Sequence, residues 1–353
     1  MPIRIGLLIC VLASTMVCGQ APGLADPPST PAASFAAVTG IFNWIHSTAD
    51  VDRGYAFYHE VFGLEMVNAP FGAIPGAPPP NTIRSRAEAI ADPIIGNLTN
   101  TNGARFRNVF MRLPGAEFGL ELSEFNDIES KSVRPNFWDP GATGLILQVR
   151  DLEKVFAALR SAGAQVITLG AAPVDIRARN RRARSILVRD PDGYLIQVIQ
   201  AAQSAGSSMV VGADIGLTVS ELGAELKFYR DILGFAVSSD APFESGKSAL
   251  RLIGLEKGQL KASAAYIPGT HARIEFYEFK NVNSTPVRLR IQDPGSPQLQ
   301  LRVRDLDPLI QQVQAAGYTF LSVGAKPIQR AFGRFVFAVD PNGVLVEFVH
   351  PAR

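Results

Sequence analysis

The sequence predicts an α+β fold made of four similar units arranged as two tandem domains. Three observations carry this expectation: a long-range internal copy, a rhythm of alternating segments broken by capped helices, and a composition able to fill two cores. Of 353 residues, 47% are hydrophobic and 19% charged. That is enough apolar material to bury a sizeable core, and the length suits two domains of ordinary size.

The copy is direct. Phe57-Tyr58-His59-Glu60-Val61-Phe62-Gly63-Leu64 returns as Phe228-Tyr229-Arg230-Asp231-Ile232-Leu233-Gly234-Phe235, and Asp190-Pro191-Asp192-Gly193 returns as Asp340-Pro341-Asn342-Gly343. Between these, Asp139-Pro140-Gly141 matches Asp293-Pro294-Gly295, and Val149-Arg150-Asp151-Leu152 matches Val303-Arg304-Asp305-Leu306. Order and spacing are kept, which is the mark of a duplication. The domains are expected at 38–202 and 209–351, with segment 203–208 as the linker.

Within each domain the pattern runs from an alternating segment to an acid-capped helix, then to further alternating segments ending near Pro-Gly or Asp-Pro-Asp-Gly turns. Each domain therefore reads as two β-α-β-β-β units. Asp151 caps a helix that runs to about Ala162, with Leu152, Phe156 and Leu159 on one face and Gly163 as the left-handed stop. Asp305, Leu306, Leu309, Ile310, Val313 and Gly317 repeat that design, and Pro308 falls in the tolerant first turn. Phe57, Tyr58, Phe228 and Tyr229 are expected as core anchors.

The N-terminus has an early cation at Arg4, an apolar run from Ile5 to Val17, and a polar stretch ending in Gly23-Leu24-Ala25. It reads as a signal peptide over residues 1–25, cleaved after Ala25 or Gly19, followed by a linker over 26–37. The run is shorter than the roughly 20 residues of a spanning helix. Cys18 lacks the flanking residues of a lipoprotein signal, so the protein is expected to be exported, periplasmic or extracellular, without an anchor. Both cysteines, Cys10 and Cys18, fall inside this leader, which leaves the mature chain no thiol for catalysis and no disulfide. A net charge of +2 gives no reason to expect a nucleic-acid partner.

A helix ending in Phe-Tyr-x-x-x-Leu-Gly, followed by Asp-Pro-Asp/Asn-Gly and a strand, resembles the vicinal-oxygen-chelate (VOC) superfamily of glyoxalase I, extradiol dioxygenases and bleomycin-binding proteins. The resemblance covers nearly all of the mature chain. It implies paired units whose sheets form a cup, where side chains from four strands hold a divalent metal that chelates neighbouring substrate oxygens. It also implies ligands seven residues before each capping acid and on the last strand of each unit. In the first domain these positions hold Asn43, Glu121, Gly144 and Gln197, a poor metal set with one carboxylate, so that domain is expected to be metal-free.

In the second domain the same positions hold Asp214, Glu275, Gln298 and Glu347, all oxygen donors. If they converge, a positive charge must sit among them. A hard ion, Mg²⁺, Mn²⁺ or Ca²⁺ rather than zinc or iron, is one candidate, and Arg273 with Arg302 is the other. Glu275 or Glu347 is then the expected catalytic base, with Arg273, Arg302 and His271 near a substrate. His46 and His350 lie three residues from Asn43 and Glu347, which turns each to the opposite strand face. Without two histidines at ligand positions, an iron-dependent oxygenase is not expected.

Two features stand outside this scheme. Arg177, Arg179, Arg181, Arg182, Arg184 and Arg189 crowd a turn, either as a solvated hairpin or as an edge for an anionic partner. The loop Gly72–Gly103 has no equally long counterpart in the second domain. Three functional classes remain open on the sequence: a metal-dependent lyase or isomerase for a small oxygenated substrate, a non-catalytic small-ligand binder of the bleomycin-resistance kind, and an interaction scaffold.

Overall fold

The computed structural model describes residues 37–68, 82–178, 181–202, 206–238 and 242–352. The expected leader with Cys10 and Cys18, nearly all of segment 26–37, the first part of the Gly72–Gly103 loop, Arg179 and the first half of the 203–208 linker lie outside the described residues.

Four units follow one another. The first contains β1 (Val38–Ser47), α1 (Val51–Phe62), β2 (Met66–Val67), β3 (Ile90–Ala91), α2 (Pro93–Thr99), β4 (Arg105–Arg112) and β5 (Gly119–Asn126). The second contains β6 (Thr143–Val149), α3 (Leu152–Ser161), β7 (Gln165–Val166), β8 (Val174–Ala178), β9 (Arg181–Arg189) and β10 (Leu195–Gln200). The third has β11 (Val210–Val219), α4 (Leu222–Lys227), β12 (Ala236–Val237), α5 (Lys247–Leu252), β13 (Gln259–Tyr266) and β14 (Arg273–Lys280). The fourth has β15 (Pro297–Val303), α6 (Leu306–Ala315), β16 (Thr319–Phe320), β17 (Ile328–Arg330), β18 (Gly333–Val339) and β19 (Leu345–Pro351).

Local chemistry sets the helix ends. Asp50 accepts from the backbone N–H groups of Asp52 and Arg53, Asp151 from Lys154, and Asp305 from Asp307, so each satisfies free first-turn donors. Glu221 makes no such bond. The Glu278 carboxylate accepts from Leu222 N–H instead at 3.0 Å, and α4 passes after Lys227 into a wider turn over Phe228–Ile232. Gly63, at φ 67°, closes α1 in the left-handed region that a side chain disfavours.

Two curled mixed sheets result, with the long helices outside. One runs β16-β18-β19-β15-β1-β5-β4-β2, with β17 on β18 and β3 on β4; the other runs β12-β13-β14-β11-β6-β10-β9-β7, with β8 on β9. At each centre two first strands meet antiparallel, β1 with β15 and β6 with β11, and each has its own last strand parallel on the other side. The first unit thus shares a sheet with the fourth, and the second with the third. Units of one half meet through helices and turns instead: Tyr58 donates to Asp190 Oδ2 at 3.3 Å, and Tyr229 to Asp340 Oδ2 at 3.1 Å. The anchors Phe57, Tyr58, Phe228 and Tyr229 are buried in one apolar cluster that draws on all four units.

Period-2 alternation divides each strand between this cluster and the concave face. On β5, Leu120 and Leu122 enter the core, which leaves Glu121 and Ser123 on the concave side; on β19, Val346 and Phe348 do the same for Glu347. His46 obeys its expected parity. It is buried on the helix side, stacked on Tyr194 at 4.4 Å, with Nε2 3.1 Å from Tyr58 Oη and 3.5 Å from Asp190.

Candidate functional site

The concave face of the first sheet carries a buried polar group. Asn43 Nδ2 donates to Gln300 Oε1 at 2.9 Å, and Gln300 Nε2 donates to Glu347 Oε2 at 2.6 Å, a relay across β1, β15 and β19. Gly119, beside Asn43 on β5, makes the relay possible, since a Cβ there would stand 2.6 Å from Asn43 Oδ1. Across the cup, Asn108 Nδ2 and Ser123 Oγ donate to Glu121 Oε1 at 2.8 and 3.2 Å. Gln298 lies on the same face, turned to Ser47 Oγ at 3.1 Å.

Glu121 and Glu347 are 7% and 5% exposed, and no Lys or Arg pairs with either among the described residues. Burial therefore dominates. It pushes the Glu121 carboxyl up to about 7 against its two hydrogen bonds, and the Glu347 carboxyl up to about 8 against the Gln300 bond, with the charge of Glu121 adding to the rise. Both carboxyls therefore hold their protons more tightly than an exposed glutamate does, on one buried face.

The second sheet solves its charge differently. Asp214 and Glu275 lie on its concave face, and Arg273 stands between them, 3.4 Å from Asp214 through Nε and in direct contact with Glu275. Tyr277 donates to the other oxygen of Glu275, and Gln148 Nε2 donates to Asp214 Oδ2 at 3.3 Å. The two carboxylates hold the Arg273 guanidinium above its ordinary range despite its burial. At the other family positions of this sheet stand Gly144 and Gln197, whose Nε2 donates to Ser185 Oγ at 3.2 Å.

The expected quartet Asp214, Glu275, Gln298 and Glu347 is therefore split: the first two belong to one sheet, the last two to the other. The reason is the pairing of units across the halves. Glu275, expected as a base, is tied to Arg273 and Tyr277; Glu347 faces Glu121 instead. Arginine neutralisation, one of the two expected answers to the carboxylates, is realised by Arg273 at Asp214 and Glu275. Arg302 is exposed, 4.5 Å from the Phe42 ring centre, and His271 is exposed in the turn before β14, its backbone N–H held by Glu117. No group of three His, Cys, Asp or Glu side chains stands ready to hold an ion among the described residues. Sequence reasoning missed Asn108 and Gln300 as partners of the two carboxyls; their same-face parity on β4 and β15 was the available signal.

Of the arginine cluster, Arg177 and Arg182 face each other across the β8–β9 pair and are exposed, Arg184 pairs with Glu153, and Arg189 is buried, donating to the Gly193 and Pro135 carbonyls at 2.7 and 2.6 Å. Arg189 thus serves the core and is no part of that surface. No helix among the described residues is long and apolar enough to cross a membrane.

In three dimensions the chain is similar to glyoxalase I from Zea mays, with a TM-score of 0.57 and 16% identity over 88% of this chain and 92% of that one. A protein of Bacillus subtilis described as a candidate dioxygenase is similar at a TM-score of 0.51 and 10% identity, over 90% of this chain and 87% of that one. At such identities the likeness establishes the fold. No curated protein matches in sequence. A family profile, however, matches residues 42–198 and 213–348, nearly the whole of both halves, and on that match the chain belongs to the Glyoxalase/Bleomycin resistance protein/Dioxygenase superfamily.

Proposed function

We propose that the first sheet's cup is a site for a small oxygenated molecule and that Glu121 and Glu347 move a proton on it, a lyase or isomerase chemistry of glyoxalase type. The observation that carries the reading is the pair itself: two buried carboxyls on one face, each positioned by an amide donor, with raised proton affinities and no Lys or Arg beside them among the described residues. Whichever of the two is ionised takes a proton from carbon beside a carbonyl, and the other, still protonated, gives its proton to the substrate oxygen; Glu121 is fixed through Oε1 by Asn108 and Ser123. Gln300 keeps Glu347 oriented and is itself oriented by Asn43.

The donor set suits a hard divalent ion, since two carboxylates and the amide oxygens of Asn43, Gln298 and Gln300 are all oxygen ligands. Mg²⁺, Mn²⁺ or Ca²⁺ held by Glu121 and Glu347 with those amides would polarise a substrate carbonyl. In that case one of the two carboxyls gives up its base role to the ion.

The test is deuterium incorporation from D₂O at the carbon beside the carbonyl of hydroxyacetone, read by NMR with and without Mg²⁺ or Mn²⁺. Glu347→Gln is expected to reduce exchange by about 100-fold, and Glu275→Gln to leave it unchanged. Equal rates in the wild type and Glu347→Gln overturn the catalytic reading. A second reading, ligand sequestration without chemistry, is favoured by the apolar cover beside Glu347, where Leu98 of α2 packs in one cluster with Phe337, Leu345 and Val349; it predicts binding of the same compound with no exchange.

A further inference from the structure

The apolar cover is specific in its construction. Helix α2, seven residues from Pro93 to Thr99, lies against β17 and β18 and sends Leu98 and Ile95 into a cluster with Phe42, Phe125, Phe335, Phe337, Leu345 and Val349. These cluster residues border the carboxyls. Phe337 is the cross-strand partner of Glu347, and Leu345 and Val349 flank it two residues away on the same face. Leu98 is 5% exposed while Ile94, on the other side of α2, is 40% exposed.

Little else fastens the helix. Asp92, which caps it, pairs with Arg330, and its last turn is held by a hydrogen bond of 2.8 Å from Ser322 Oγ to the Leu98 carbonyl. Asn100, at φ 53°, ends it in a conformation that a single turn of chain holds. The apolar attachment of α2 to the cup is thus Ile95 and Leu98, and the chain on its two sides runs into β3 and β4, which pair with each other. The equivalent helix of the other cup, α5, buries Leu250 and Leu252 against Val174, Ile176, Leu187 and Tyr277.

Resting on the site reading above, we propose that α2 is a displaceable plug and that Leu98 and Ile95 occupy the subsite for the apolar part of the ligand. That ligand carries a neutral, oxygen-bearing head for Glu121, Glu347 and Asn43 and a compact apolar body that takes the place of the two side chains. An anionic head is disfavoured, because the pair already carries negative charge once either carboxyl ionises.

The test reads the cover first and the ligand second, on the full chain. Carbodiimide with glycinamide labels reachable carboxyls, and mass spectrometry of the Glu347 peptide gives the rate. Arg330→Ala, which frees Asp92, is expected to raise Glu347 labelling at least fivefold and to speed amide exchange of residues 94–99 over that of residues 247–252. Leu98→Ala should act in the same direction, and Leu250→Ala should leave Glu347 labelling unchanged. In Arg330→Ala, 2-hydroxyacetophenone should protect Glu347 at a concentration at least fivefold lower than hydroxyacetone. Unchanged labelling in both Arg330→Ala and Leu98→Ala overturns the plug, and equal protection by the two ketones overturns the apolar subsite. Labelling reads the cover whether or not the pair performs chemistry, so a negative deuterium-exchange result and a negative labelling result remain distinct.

Discussion

The two cups have the same ancestry in the chain and opposite solutions for buried carboxylates. In one, Asp214 and Glu275 pair with Arg273; in the other, no Lys or Arg pairs with Glu121 or Glu347 among the described residues, and burial raises their hold on protons. Family positions that match one for one, Asp214 with Asn43 and Glu275 with Glu121, therefore carry different physics. The difference teaches that burial raises a carboxyl's hold on its proton where no side-chain cation sits beside it. A buried ion triad is self-satisfied, whereas an uncompensated acid pair is costly unless protons, a metal ion or a substrate share the site.

The largest test of that contrast is pH. A carboxyl whose affinity for protons is higher folded than unfolded gives stability that is complete below about pH 4.5, its unfolded value, and that is lost as pH rises through the folded values of about 7 for Glu121 and 8 for Glu347. From pH 5 to pH 9 the wild type should lose on the order of 6 kcal/mol, summed over the two carboxyls. Urea denaturation across that range should find Glu347→Gln close to wild type at pH 5 and clearly more stable at pH 9. A wild type with no loss above pH 6 would place a compensating cation in the first cup and erase the distinction.

The second cup should respond to removal of its cation. Arg273→Ala removes the cation between Asp214 and Glu275 and should cost about 3 kcal/mol at pH 7. Because the orphaned acids would then hold protons, the cost should shrink in mild acid, so that the variant acquires the pH profile of the first cup. Thermal melts at pH 5 and pH 7 check this, and a loss that is the same at both would show that Arg273 acts by packing alone.

The smallest effect refines the first cup. Gln300→Met removes the hydrogen bond that lowers the Glu347 proton affinity, and should move its titration up by about one pH unit. Carboxyl-carbon NMR titration measures the shift. Gln148→Met, beside Asp214 in the second cup, should leave the Glu347 titration unmoved; a shift there would mean that the cups are coupled.

Much of this molecule was legible in the chain. The duplication, the four units, the capped helices opened by Asp151 and Asp305, the aromatic anchors and the parity that turns His46 away from the cup all depend on residues close in sequence. Local periodicity and capping chemistry decide such features before any distant contact forms. Alternation likewise told which face Glu347 occupies. It could not tell which strand lies alongside, because strand pairing is made by backbone groups that every residue carries. The tertiary structure alone decided that β1 meets β15 and β6 meets β11. That pairing brought Glu347 to Glu121, set Arg273 between Asp214 and Glu275, and placed α2 against β17 and β18, because long-range packing of the halves, with one core beneath both sheets, fixes which faces share a cup.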